Sequence, residues 1–234
     1  MDSRQGRRPE YGDAARQEML AFLPASARRV LDIGCNTGAF GAQVKQQRDA
    51  EVWGLEPHLP SAQQASGRLD KVLATPFTMA AELPGGYFDA IFFNDVLEHL
   101  ADPWAALALA AQKLASDGVV IASIPNLRHI DNLEHIFLEA DFRYEGQGIR
   151  GRTHLRFFTR KSAVRLFEDC GYRIARTEGI NASWWSPSMA RRLSFRLFGK
   201  WLEDTKYRQF VLVARAGPGA DLAPLRMEEA RIDA

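Results

Sequence analysis

The chain has 234 residues, 46% of them apolar and 25% charged, with 30 basic against 29 acidic side chains and a net charge of +1. These values describe a globular domain with its own core, and the balanced charge excludes the basic surface of a general nucleic-acid or membrane-surface binder. Two cysteines without CxxC spacing, Cys35 and Cys170, exclude a disulfide framework and a cysteine zinc site; with no apolar run near about 20 residues and no secretory leader pattern before Tyr11, a cytoplasmic protein without a membrane span is expected.

Short apolar runs alternate with helical patterns, which predicts βαβ units, a parallel sheet and therefore an α/β fold. Residues 14–23 read as a first helix, stopped by Pro24. Residues 29–33 read as a buried strand, 34–38 as a glycine-bearing turn and 38–47 as a helix. A second strand is expected over 51–55 and a weaker third over 71–74. The fourth, 88–93, contains the uncharged run Ala90-Ile91-Phe92-Phe93, as in a strand covered on both faces. Trp104, Leu107, Ala108, Ala111 and Leu114 mark one face of the next helix. Residues 118–124 form a fifth strand, ended by Pro125.

Residues 129–139 read as a helix with Ile130, Leu133 and Ile136 inward, and 141–156 as a loop. Thr159 is placed as the N-cap of a helix that buries Val164, Phe167 and Cys170 and closes at Gly171. The last strands are expected over 172–176 and 210–214. Between them, Met189, Leu193, Leu197 and Trp201 form a ladder that reads as a helix. One domain over 1–216 is expected, with insertions at 142–161 and 181–207 and a loosely ordered tail over 217–234.

The sharpest local signal is Val30-Leu31-Asp32-Ile33-Gly34-Cys35-Asn36-Thr37-Gly38, a buried strand ending in a tight turn that opens a helix. Such a turn brings backbone close to a ligand. A dinucleotide loop has glycine at the position of Asn36; asparagine tolerates positive φ, so the turn survives. Asp32 at the strand end is a poor neighbour for pyrophosphate and suits an ammonium group. Glu56 ends the second strand about 20 residues later, where a carboxylate accepts ribose hydroxyls.

These residues, with the segments FDAIFFNDVLEHLADP, SIPN and THLRFFT, resemble class I S-adenosylmethionine-dependent methyltransferases. The likeness is to the group containing the ubiquinone-pathway O-methyltransferases and bacterial methyltransferases associated with surface glycans. It implies a Rossmann-like, seven-stranded, mostly parallel sheet with helices on both faces and an antiparallel last strand. It implies S-adenosylmethionine as cofactor, bordered at its methionine part by Asp32, Gly34, Cys35, Asn36 and Gly38. Glu56 would hold the ribose, Asn94 would offer backbone beside the sulfonium and Tyr11 would close over the carboxylate end. Ala74-Thr75-Pro76 stands where the group often has an Asp for the adenine, which leaves that contact to backbone or Thr75.

On the acceptor side, Asp95, Glu98 and His99 would share one side of a helical turn after the fourth strand. The segment around His154 returns to the same end of the sheet. Three readings are open: His99 or His154 as general base; Asp95, Glu98, His99 and His154 around a divalent cation, an arrangement similar to that of small-RNA ribose methyltransferases; or a purely bracing role. The working expectation is a base and no metal. His58, His129 and His135 read as ordinary surface residues. Arg143, Arg150, Arg152, Arg156, Arg160 and Lys161 against the single acid Glu145 form either a solvated face or a grip on an anionic acceptor, while Trp184 and Trp185 would stack on a ligand or fill core. The expected partner is a small-molecule or glycan acceptor rather than nucleic acid. A catalytically silent cofactor-binding protein and a metal-assisted RNA ribose methyltransferase are the competing functions.

Overall fold

The computed structural model describes residues 16–183, 199 and 201–217. Seven strands among them form one sheet: β1 (Arg29–Ile33), β2 (Glu51–Leu55), β3 (Lys71–Leu73), β4 (Phe88–Asn94), β5 (Leu114–Pro125), β6 (Tyr172–Ala182) and β7 (Tyr207–Ala216). Their spatial order is β3-β2-β1-β4-β5-β7-β6. Strands β1 to β5 pair in parallel, and β7 runs antiparallel between β5 and β6. The helices are α1 (Ala39–Gln47), α2 (Leu59–Ser66), α3 (Pro103–Lys113), α4 (Ile130–Leu138) and α5 (Arg160–Asp169). This is the expected Rossmann-like α/β fold with its last strand antiparallel.

The apolar run of β4 shows why the sheet is covered on both faces. Ile91 and Phe93 enter one core with Leu31, Leu107, Leu166 and Phe167, while Ala90 and Phe92 enter another with Met19, Val30, Phe40 and Val44. Side chains alternate along a strand, so an unbroken apolar run must feed two cores. Strand order turns back at β1 and β4, which opens a crevice at their carboxyl ends. The Gly34 turn and Asn94 stand there.

Several elements differ from expectation. The first helix is a 3-10 segment over Gln17–Phe22, and Arg16 before it is in the left-handed region, which interrupts the expected helix there; residues 14 and 15 lie outside the described residues. Helix α2 was not anticipated, because only Ala62 and Ala65 face the core. Strand β6 is longer than expected because it is an edge strand with polar residues along its length, so no apolar run marks it. Ile136 does not turn inward on α4; the buried residue of that helix is the polar Asn132, while Ile136, Phe137 and Leu138 are exposed. Trp201 is exposed. The rest of its ladder, Trp184, Trp185, Tyr11 and the tail beyond Gly217 lie outside the described residues. Thr159 caps α5 as expected, accepting from the Ser162 N–H, and Ser162 returns a bond to the Thr159 N–H.

Candidate active site

The cofactor side is built from the ends of β1, β2 and β4. Gly34, Asn36 and Gly38 all have positive φ, at 70°, 48° and 78°, so the turn has the left-handed backbone expected of it and Asn36 does take the place of a glycine. A Cβ on Gly34 would lie 2.8 Å from Val96 Cγ2. The N–H groups of Gly34 and Cys35 both donate to the Leu55 carbonyl at the end of β2, at 2.8 and 3.0 Å. Glu56 completes the link: its two carboxylate oxygens accept from the Asn36 N–H (3.0 Å) and the His58 N–H (2.8 Å). Glu56 is therefore held by backbone on both sides, with lone pairs left over for a diol.

Asp32 is 2% exposed and receives a long hydrogen bond from the Asn94 amide at 3.5 Å. Burial pushes its carboxyl up to about 7, with repulsion from Glu56 adding to this and Asn94 and Arg16 opposing it. Beside it, Asn94 Oδ1 is buried without a partner among the described residues. A buried acid that no cation pairs with among the described residues, next to an unfilled acceptor, fits a ligand that brings an ammonium group. The Asn94 side chain, as well as its backbone, therefore faces this end of β1.

Arg16 is a residue that sequence reasoning missed, for nothing in Ala14-Ala15-Arg16-Gln17 marks it. Its guanidinium pairs with Glu18 (2.8 Å) and Asp95 and donates to Ser123 Oγ (3.0 Å). Asp95 also accepts from Ser123 Oγ and from the Gln209 amide. This corrects the grouping of Asp95 with Glu98 and His99. The 3-10 turn begins only at Leu97, and Asp95 has φ 55°, so helical neighbour geometry does not reach it.

Glu98, His99 and His154 do meet. One ligand atom from each lies within 4.8 Å of the others. His99 and His154 pack edge to face with ring centroids 4.7 Å apart. The loop is brought there by backbone: Leu155 and Arg156 N–H groups both donate to the Glu98 carbonyl (2.8 and 3.0 Å), and Arg156 donates to the Ala101 carbonyl. Nδ1 of His99 faces the Thr153 carbonyl and Nδ1 of His154 the Ile149 carbonyl, each at 3.0 Å. A carbonyl can only accept, so both rings carry their proton on Nδ1 and keep Nε2 free as a base or ligand. Burial, helped by the neighbouring His99, holds His154 below the ordinary imidazole range. Glu98 is 1% exposed, and neither of its carboxylate oxygens has a partner among the described residues. Burial first, and then Asp95, push its carboxyl well above the usual range.

A cleft of about 500 Å³ lined by Tyr144, Arg152, His154 and Leu155 opens beside this cluster. Of the basic residues in this segment, Arg143, Arg150, Arg152, Arg156, Arg160 and Lys161, Arg152 alone lines it among the described residues. Arg150 is buried and bonded to Glu145, Asn132 and the Arg143 carbonyl. Arg156 is spent on Ala101 and lies over the Trp104 ring. His129 is not a surface residue: it is fully buried, with Nε2 3.1 Å from Ser183 Oγ.

The fold, with acidic residues at the ends of β1 and β2, is that of the S-adenosylmethionine-dependent methyltransferase class. A methyltransferase-domain family model matches residues 4–177, and the chain belongs to that family. It is 30% identical over 188 residues to the ubiquinone biosynthesis O-methyltransferase of Ruegeria sp. (strain TM1040), covering 75% of this chain and 73% of that one. A ubiquinone biosynthesis O-methyltransferase of Cereibacter sphaeroides (strain ATCC 17029) is 32% identical over 117 residues, 47% of this chain and 46% of that one, so the match spans less than half of that relative. The fold is also that of a SAM-dependent methyltransferase from Archaeoglobus fulgidus, with a TM-score of 0.63 at 19% identity over 86% of this chain and 91% of that one. Among the described residues, no helix is long and apolar enough to cross a membrane.

Proposed function

We propose that this methyltransferase modifies a hydroxyl group on a small-molecule or sugar-containing acceptor that carries negative charge. The observation that carries the reading is the His99–His154 pair, its Nδ1 atoms tied to carbonyls and its free nitrogens beside the cleft of Arg152 and Tyr144. S-adenosylmethionine, when bound, supplies an electrophilic methyl group. Asp32 meets its ammonium, and Glu56 its ribose hydroxyls. A neutral imidazole, His154 or His99, takes the hydroxyl proton at Nε2. Arg152 holds the anionic part of the acceptor, and Tyr144, packed 5.5 Å from Phe142, offers a flat face. Holding acceptor and donor in line supplies much of the rate. The two buried free thiols, Cys35 and Cys170, suit a reducing cytoplasm.

The test is release of S-adenosylhomocysteine with a panel of hydroxyl acceptors, anionic and neutral, alongside amines. Turnover of anionic hydroxyl acceptors is expected. Turnover of amines alone, or tight cofactor binding with no release across the panel, would move the protein to N-methylation or to a silent cofactor-binding role.

A second reading rests on Glu98. A buried carboxylate with two unpartnered oxygens beside two free imidazole nitrogens is a donor set suited to a divalent cation, which would acidify the acceptor hydroxyl. Against it, Asp95, a ligand the cation reading needs, is turned away to Arg16, and the three remaining donors span up to 4.8 Å, wider than adjacent ligands on one tetrahedral zinc, about 3.5 Å apart. The base reading is therefore preferred.

A further inference from the structure

We infer that Arg150 is a positioning residue for His154: a buried cation that fastens the acceptor-side loop to α4 and thereby holds the carbonyl that orients the imidazole. The inference rests on the reading above only in placing His154 at the acceptor.

The chain of contacts is continuous. Asn126, fully buried just after β5, donates through its amide to the Asp204 and Tyr207 carbonyls (2.9 and 3.0 Å). Asn132 on α4, 2% exposed, donates to the Leu127 carbonyl at 3.1 Å. The Asn132 Oδ1 accepts from Arg150 Nη1 at 3.0 Å. Arg150 Nε donates to the Arg143 carbonyl at 3.1 Å, and its Nη2 meets the Glu145 carboxylate. One guanidinium thus joins α4 to both arms of the loop. Backbone closes the loop on itself: the Glu145 N–H donates to the Arg150 carbonyl (2.9 Å) and the Arg152 N–H to the Glu145 carbonyl (3.0 Å). The residue next to Arg150 in the chain is Ile149, whose carbonyl faces His154 Nδ1. Gly151, on the other side, packs so closely that a Cβ there would lie 3.1 Å from His154 Nε2. The imidazole is therefore set between the two residues that flank Arg150.

Chemistry supports a positional role over simple stability. Arg150 is 4% exposed, and its one carboxylate partner, Glu145, is about half exposed. A buried ion pair of this kind is a weak source of stability, since desolvation cancels most of the attraction. What a five-donor planar fork does well is fix geometry between several acceptors at once. A loop with three glycines, Gly146, Gly148 and Gly151, has little of its own to fix it.

The test reads the His154 ring directly. The 15N-labelled full chain is saturated with S-adenosylhomocysteine, and imidazole tautomers are read by NMR at one fixed pH in the wild type, Arg150→Met and Asn132→Ala. The wild type is expected to show His154 as the Nδ1–H tautomer. In Arg150→Met its signals should move to a tautomer average while His99 keeps its own, S-adenosylhomocysteine affinity stays within about twofold, and kcat for an acceptor falls at least tenfold. Asn132→Ala, which leaves the Arg150–Glu145 pair in place, should give a smaller shift of the same kind and serves if Arg150→Met does not fold. An unchanged His154 tautomer in whichever variant folds would overturn the inference. If His154→Gln turns over acceptor at the wild-type rate while the tautomer still responds to Arg150, His154 is not the base, that role passes to His99 or to neither ring, and the positioning of His154 stands.

Discussion

His99 and His154 stand edge to face with their ring centroids 4.7 Å apart, and each presents Nδ1 to a backbone carbonyl. The pair sits over the unpartnered carboxyl of Glu98. An imidazole base needs no ion, so activity is expected to survive exhaustive EDTA treatment. Loss of activity in EDTA, with recovery in magnesium or manganese, would transfer the three side chains to the cation reading. Replacing His154 by Gln should lower kcat by about 10²–10⁴, the usual contribution of a positioned general base.

If Asp32 meets the cofactor's ammonium as proposed, its raised carboxyl is expected to make cofactor binding pH-dependent. An ammonium pairs with the ionised form, so below pH 7 binding must first expel a proton. Affinity for S-adenosylhomocysteine should climb up to about tenfold per unit between pH 5 and 7 and level off above. Asp32→Asn should flatten that slope and weaken binding about ten- to a hundredfold at pH 8. Titration calorimetry across the range checks both, and an Asp32→Asn variant with the wild-type slope would remove the assignment.

The same shift carries a stability consequence of opposite sense. The folded carboxyl titrates near 7 and the unfolded one near 3.8. The proton is thus held more tightly by the folded state, and its stabilising effect is complete below pH 3.8 and lost as pH rises to 7. Without cofactor, the wild type should lose thermal stability relative to Asp32→Asn over that window, as read by paired melting curves.

Arg152 and Arg156 are close in sequence and should behave differently. Arg152→Ala is expected to raise the KM of an anionic acceptor about tenfold or more and leave cofactor affinity alone. Arg156→Ala removes a bond to the Ala101 carbonyl and a cation over Trp104, so its effect should fall on Tm. Equal KM for anionic and neutral acceptors in Arg152→Ala and wild type would remove the anion grip.

Gly54 lies under the cofactor turn. A Cβ there would sit 2.5 Å from Cys35 Sγ and 2.7 Å from Leu69 Cδ1. Gly54→Ala should cost about 1–3 kcal/mol by overpacking and weaken cofactor binding by displacing Cys35. Gly146→Ala, where a Cβ meets nothing within 4 Å, is the control. Denaturant midpoints near wild type for Gly54→Ala would show that the turn gives way more easily than its packing implies.

Most of the sheet was legible because burial on both faces leaves continuous apolar strands, and the Asp32 turn because positive φ restricts which residues can follow a strand. What escaped is of a different kind. Helix α2 faces the core with two alanines, too little for a period to register. Asp95 looked like a helical partner of Glu98, yet its left-handed backbone sends it to Arg16, a conformation no spacing rule carries. Arg150 looked like one member of a basic surface. Its burial depends on Asn132 and Glu145, which come from a helix and a loop that sequence alone does not place side by side. The meeting of His99 with His154 was anticipated as a shared end of the sheet and, in the cation reading, as two ligands of one ion; the carbonyls of Thr153 and Ile149 that orient them leave no mark on composition.

The place of β7 between β5 and β6 has a consequence for how the chain is made. Both neighbours of β7 are synthesised before it, and neither pairs with the other. Until residues 207–216 leave the ribosome, the edges of β5 and β6 stay open, with Ile121 and Ala122 of β5 lacking their partners Val213 and Leu212. Open edges of apolar strands invite pairing with other chains, and distant pairings form late. The nascent protein thus carries a half-finished sheet, vulnerable to association, until nearly all of its described length has been translated.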